Sequence, residues 1–197
     1  YTLSLHDALP IGGKGPARMT RTTRNRLIGF ALALLIFAAD QAMKWVIDYP
    51  LNMRKGDTID LLPIFAFTRT HNYGVSLGMF TATSPEMRWG LVGVTGLIAV
   101  GVTVWLLRER KLGEILPLAM VLGGALGNIR DRVRMGYVLD YADLHFGAFR
   151  PFLIFNVADA CITIGVLIIL ARSLFMREKP VQTHSDTAEA DQPAETL

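Results

Sequence analysis

The chain has 197 residues, of which 51% are hydrophobic, and a mean hydropathy of +0.35, too apolar for a soluble domain of this size and typical of a bilayer protein. The net charge of +3 and pI of about 9.2 come from basic residues that flank apolar runs and form no aromatic-interleaved patch, which argues against a nucleic-acid partner. A single cysteine, Cys161, excludes an intramolecular disulfide and a cysteine-rich metal site.

Residues 1–18 lack helical amphipathicity and a signal-peptide layout, and are expected to be an artefactual or disordered lead ahead of Met19 and the basic run TRTTRNR. Residues 27–47 form the first candidate span. About 20 apolar residues cross a bilayer, and this run supplies them if Asp40 and Lys44, four apart and therefore on one helix face, pair with each other. No small-residue cleavage site follows, so an uncleaved helix is expected.

Residues 48–88 are polar and punctuated by Gly, Pro and Asp. The stretch LLPIFAFTRTHNYGVSLGMF within them suggests short strands on the membrane surface. Asn72-Tyr73-Gly74 reads locally as a turn. Residues 89–107 form the second span, with glycines at 90, 93, 96 and 101 that would let helix backbones approach closely. The third span, 112–129, carries the close-packing pair Gly123 and Gly127 and ends in GNIRDRVR. There Asn128, Asp131 and Arg132 either close a helix end with an ion pair or contact substrate. After the segment 130–151, the fourth span covers 152–175, and the acidic, aromatic-poor tail 177–197 is expected to be disordered and cytoplasmic.

Two carboxylates carry the functional argument. A charge in the hydrocarbon layer costs roughly 2.5–3.5 kcal/mol on insertion scales, so Asp159, in FNVADACI, is a functional candidate by default. Its structural alternative is an acid favoured by a helix N-terminus. Asn156, three residues earlier, is expected on the same helical face, where it could orient a carboxyl or bind a substrate carbonyl. Asp140 lies just outside the layer and would complete a dyad, but composition alone does not separate it from Asp143. Cys161 lies roughly opposite Asp159 around a helix, in an apolar run where a thiol is inert. His6, His71, His145 and His184 lack metal-ligand spacing, so neither a metal nor a cofactor is expected. A small transporter or proton-relay protein is the competing class, but it predicts symmetric halves, and none are visible.

Taken together, DQAMK at 40–44, NYGVSLGMF at 72–80, GGALGNIRDR at 123–132, VLDYAD at 138–143 and FNVADACI at 155–162 resemble, in order, the motifs of lipoprotein signal peptidase (signal peptidase II), a bacterial inner-membrane aspartyl protease family. Val75-Ser76 stands where that family more often has alanines. The resemblance runs from about Arg24 to Met176. It implies an all-α membrane protein: a four-span peptidase domain over 19–176, a small periplasmic β-rich cradle from 48–88, and a short surface helix near 141–148. It matches the family's catalytic aspartates to Asp140 and Asp159, and gives Asn128, Arg132, Asn156, Asp40, Lys44, Asn72 and Gly74 supporting or substrate-binding roles, with Asp131 beside them. It further implies lipidated prolipoprotein substrates cut just before the lipidated cysteine. Membrane lipid is expected as a partner, and a monomer is expected. Four spans put both termini on one side, and Arg21, Arg24, Arg26, Arg108, Arg110, Lys111, Arg172, Arg177 and Lys179 make that side cytoplasmic, although Arg54, Lys55, Arg69 and four arginines from Arg130 to Arg150 keep the bias modest; the active site is then expected near the periplasmic face.

Overall fold

The structure, a computed structural model, describes residues 19–75, 80–81, 85–147 and 149–175. The lead 1–18 and the tail 177–197 lie outside the described residues.

Four helices are long and apolar enough to span a membrane: α1 (Arg21–Asp48), α2 (Pro85–Arg108), α3 (Leu112–Met135) and α4 (Val157–Phe175). Each boundary has a local cause. Thr20 caps α1, its Oγ1 accepting the Thr23 N–H at 3.2 Å. Pro85 opens α2 at the position where a missing N–H costs nothing. Gly136, at φ 86°, closes α3 in the left-handed conformation, its N–H donating to the Arg132 carbonyl.

The central helix is α3, which packs against α1, α2 and α4. Its glycines make that possible. A Cβ added at Gly123 would lie 2.5 Å from the Ala33 carbonyl oxygen on α1, and one at Gly124 would lie 2.5 Å from the Ala158 carbonyl oxygen on α4. By contrast, a Cβ at Gly90, Gly93, Gly96 or Gly101 of α2 would meet nothing within 4 Å. The close approach expected of the α2 glycines is therefore not made within this chain, because α2 is peripheral and meets the core through Ala99 and Leu106. The outward faces are apolar, with Leu97 and Leu174 each 74% exposed, as a bilayer requires.

A three-stranded antiparallel sheet of order β1-β2-β5 covers one end of the bundle, built from β1 (Thr58–Leu62), β2 (Phe65–Asn72) and β5 (Val138–Leu144). A backbone ladder also pairs β3 (Gly74–Val75) with β4 (Phe80–Thr81). Three expectations change. Among the described residues 141–148 contain no helix. They continue β5 into a turn, because Phe65, Ala66 and Phe67 offer that backbone a ladder of hydrogen bonds from a distant part of the chain. The sheet therefore draws its third strand from outside 48–88. Helix α3 runs six residues beyond Ile129, to Met135, since its charged last turns are satisfied by pairing. Helix α4 starts at Val157 rather than 152.

Candidate active site

Strand β5 settles which aspartate faces the bundle. Successive side chains on a strand point to opposite faces, so Asp140 and Asp143, three apart, diverge. Asp143 accepts hydrogen bonds from Arg150 Nε (3.1 Å) and Thr68 Oγ1 (3.0 Å). Burial alone would raise its pKa, but these bonds and the Arg150 charge hold its carboxyl below the usual range. Asp140 turns to the other face, where its Oδ1 accepts from Asn156 Nδ2 at 2.7 Å. Burial and then the Asp159 charge push its carboxyl up to about 7, against the hydrogen bonds from Asn72 and Asn156 and the Lys44 charge.

Asp159 stands in the first turn of α4, and Asn156 precedes the helix rather than sharing its face. The two form a capping box: the Asp159 N–H donates to Asn156 Oδ1 at 2.8 Å, and the Asn156 N–H donates to Asp159 Oδ2 at 3.4 Å. The structural alternative for Asp159, an acid at a helix N-terminus, is thus part of the geometry and not a rival to a role in chemistry. Asn156 therefore links both acids, with its amide on Asp140 and its carbonyl on the Asp159 backbone. Asn128 completes the loop, donating to Asp159 Oδ1 at 2.8 Å and accepting from Asn156 Nδ2 at 3.2 Å.

Beneath this pair lies a buried ion cluster. Lys44 Nζ sits 2.7 Å from Asp40 Oδ2 and 2.6 Å from Asp131 Oδ2, with all three side chains at most 4% exposed. The cluster reaches both acid-bearing segments through backbone N–H groups. Asp40 Oδ1 accepts from the N–H of Ala158, the neighbour of Asp159, at 3.1 Å. Asp131 Oδ2 accepts from the N–H of Leu139, the neighbour of Asp140, at 3.3 Å. An added Cβ at Gly127 would lie 2.6 Å from Asp40 Oδ2, so only glycine admits the cluster at that point.

On the open side, Arg132 Nη2 donates to the Gly74 carbonyl at 3.2 Å, and Gly74 N–H donates to Asn72 Oδ1 at 3.0 Å. The Asn72 turn is therefore real and also carries a site residue. Arg132 Nε is buried without a hydrogen-bond partner. A groove of about 570 Å³ runs from Phe152 and Leu153 past Phe155 to Asp159 and Ile162.

All ten residues expected at the site thus gather around one centre. The sequence does not single out Gln41, whose Nε2 donates to Asp40 Oδ2 and Asp131 Oδ1, both at 3.1 Å. Its only signal was adjacency to Asp40. Among the described residues, no three His, Cys, Asp or Glu side chains meet as a metal site would need.

Two carboxyls held by shared amides, one of them retaining a proton to near neutrality, have the chemistry that acid/base work requires. The sequence profile of Signal peptidase (SPase) II matches residues 32–175. The lipoprotein signal peptidase of Sphingopyxis alaskensis is 51% identical over 154 residues, covering 78% of this chain and 89% of that protein. The chain belongs to the signal peptidase II family. The lipoprotein signal peptidase of Rhizorhabdus wittichii is 47% identical over 157 residues, with 80% and 91% covered. A bacterial membrane enzyme solved in meso at 1.9 Å superposes with a TM-score of 0.66 at 27% identity, covering 76% of this chain and 94% of that one. The four spans and the signal peptidase II match make this a bacterial multi-pass membrane protein.

Proposed function

We propose that this chain removes the signal peptide of prolipoproteins, cutting just before a cysteine that carries diacylglyceryl, and that Asp140 and Asp159 do so with one shared proton. The observation that carries the reading is the position of Asn156, bonded at once to the Asp140 carboxylate and to the backbone of Asp159. Family membership supplies the reaction class.

Two neighbouring carboxyls in a low dielectric do not both ionise, so the pair holds one proton at neutral pH. The ionised member takes a proton from a water molecule as that water's oxygen bonds to the scissile carbonyl carbon. The protonated member donates a hydrogen bond to the carbonyl oxygen and gives it the proton, leaving a gem-diol. The C–N bond then breaks: the proton gained from water passes to the departing amine, and one gem-diol O–H returns its proton to the other carboxylate as the carbonyl re-forms, which restores the starting state. The two acids share that proton, so neither owns either role. In this reading Arg132 binds substrate backbone, which its buried, unpartnered Nε supports, and Asn128 and Asn156 keep the carboxyls in register. The groove at Phe152, Leu153 and Ile162 offers the substrate's acyl chains an apolar path from lipid to Asp159.

Arginines 21, 24 and 26, with Arg108, Arg110 and Lys111, lie at the end of the bundle away from the aspartates, and by the positive-inside rule they support cytoplasmic termini and a dyad near the periplasmic face, a bias kept modest by Arg54, Lys55, Arg69, Arg130, Arg132, Arg134 and Arg150 at the other end. One chain supplies every group, as a monomer requires. A proton-relay carrier gains no support from the apolar cluster of Ala33, Ala99, Leu106, Ile115, Leu118 and Leu122 that packs beyond the ion cluster.

The test is a gel-shift assay with purified chain in detergent, using a precursor with or without diacylglyceryl on its cysteine. Cleavage of the modified precursor alone is expected. Equal cleavage of both forms, or of neither, would contradict the proposal.

A further inference from the structure

The face of α3 opposite the dyad is also structured. At 3.6 residues per turn, Leu126 and Arg130 are each two positions from Asn128, about 200° around the helix. Arg134 stands in the same relation to Arg132. Helices α1 and α2 both pack on α3 but barely meet each other, and the gap between them is a groove of about 960 Å³. Ala33 and Phe37 line it from α1, Gly96 and Val100 from α2, and Leu126 and Val133 from α3. Its volume lies at the upper end of the roughly 300–1,000 Å³ of ligand sites. At the end level with the dyad it stops being apolar, because Arg130 and Arg134 close it.

Both arginines are exposed. Among the described residues neither belongs to an ion pair, and Arg130 donates only to the neutral Gln41 Oε1. An apolar channel headed by two unneutralised guanidiniums at the membrane edge has the charge pattern of a phospholipid with a negative head group. The diacylglyceryl group of a prolipoprotein carries no phosphate, and Asp159 lies across α3, so the groove does not suit the substrate.

We propose that this groove is a binding site for one anionic phospholipid, its acyl chains between α1 and α2 and its phosphate on Arg130 and Arg134. The site stands whether or not the peptidase reading holds. Native mass spectrometry of the purified chain tests it, with phosphatidylglycerol or phosphatidylcholine of matched acyl chains added to the detergent. One phosphatidylglycerol should be retained in preference to phosphatidylcholine. Arg134→Gln should weaken that retention about fivefold, the factor for ~1 kcal/mol per basic residue near an anionic head group. Leu126→Trp, which fills the groove without changing charge, should lower uptake of both lipids while precursor cleavage continues. Equal uptake of the two head groups, or phosphatidylglycerol uptake untouched by both substitutions, would overturn the site. So would a dimer that excludes lipid, since it would give the groove to a second copy of the chain.

Discussion

Asp140→Asn and Asp159→Asn should each lower cleavage of lipidated precursor by roughly 10³–10⁴-fold, at the upper end of what a positioned acid or base contributes. The double variant should be little worse than either single one, because two groups that handle one proton fail together. Stability separates this outcome from simple unfolding. An amide at position 140 still accepts from Asn156 Nδ2, so the packing is kept. The Asp140 carboxyl has its pKa raised from 3.8 to about 7 by burial and by Asp159, so the fold holds this proton more tightly than the unfolded chain does. Its contribution to stability is therefore fully present below about pH 4 and is lost as pH rises through about 7. At pH 8 the neutral Asp140→Asn variant should unfold at or above the midpoint of the parent chain while being inactive. Asp143→Asn is the control: it breaks bonds to Arg150 and Thr68 on the other face of β5, and should leave the rate within a few-fold. A variant at 140 or 159 that still cleaves at a substantial fraction of the parent rate would contradict the assignment.

The second large effect lies at Lys44. Its ammonium serves two buried carboxylates at 2.7 and 2.6 Å. Lys44→Met would leave Asp40 and Asp131 facing each other unneutralised, and removing one partner of a buried pair costs roughly 3–5 kcal/mol. For a chain of this size that corresponds to roughly 10 °C in unfolding temperature. Activity should fall with it, because Asp40 holds the Ala158 N–H and Asp131 holds the Leu139 N–H, one residue from each member of the dyad. Adding Asp40→Asn to Lys44→Met removes one orphaned charge and should recover part of the stability. Thermal unfolding in detergent measures both steps. A Lys44→Met chain as stable and active as its parent would show that the cluster does not position the site.

Much of this arrangement was legible in the residues. Length and hydropathy are local properties, so the four spans could be read directly, and the i,i+4 spacing of Asp40 and Lys44 anticipated their contact. What failed depended on distant parts of the chain. The segment 141–148 has no strong intrinsic preference, and β2, more than seventy residues upstream, decides that it is a strand. Asp131 and Arg132 looked like the end of a span because charges normally stop one, whereas Lys44 and Gly74 satisfy them in place. Spacing alone sets Asn156 on a helical face, although Asn followed three residues later by Asp also fits the capping pair that the structure forms. Gln41 could not be found by helical spacing, since it reaches around its own helix to Asp131.

The central claim, one proton shared by two acids at the point of cleavage, is tested most directly by kcat/KM for lipidated precursor measured across pH 5–9. With the Asp140 carboxyl raised to about 7, the singly protonated pair persists as pH rises to that point, so the rate should hold up to about pH 7 and fall beyond it. A rate that stays flat or climbs from pH 6 to pH 9 would mean that no shared proton is being titrated, and would contradict the mechanism.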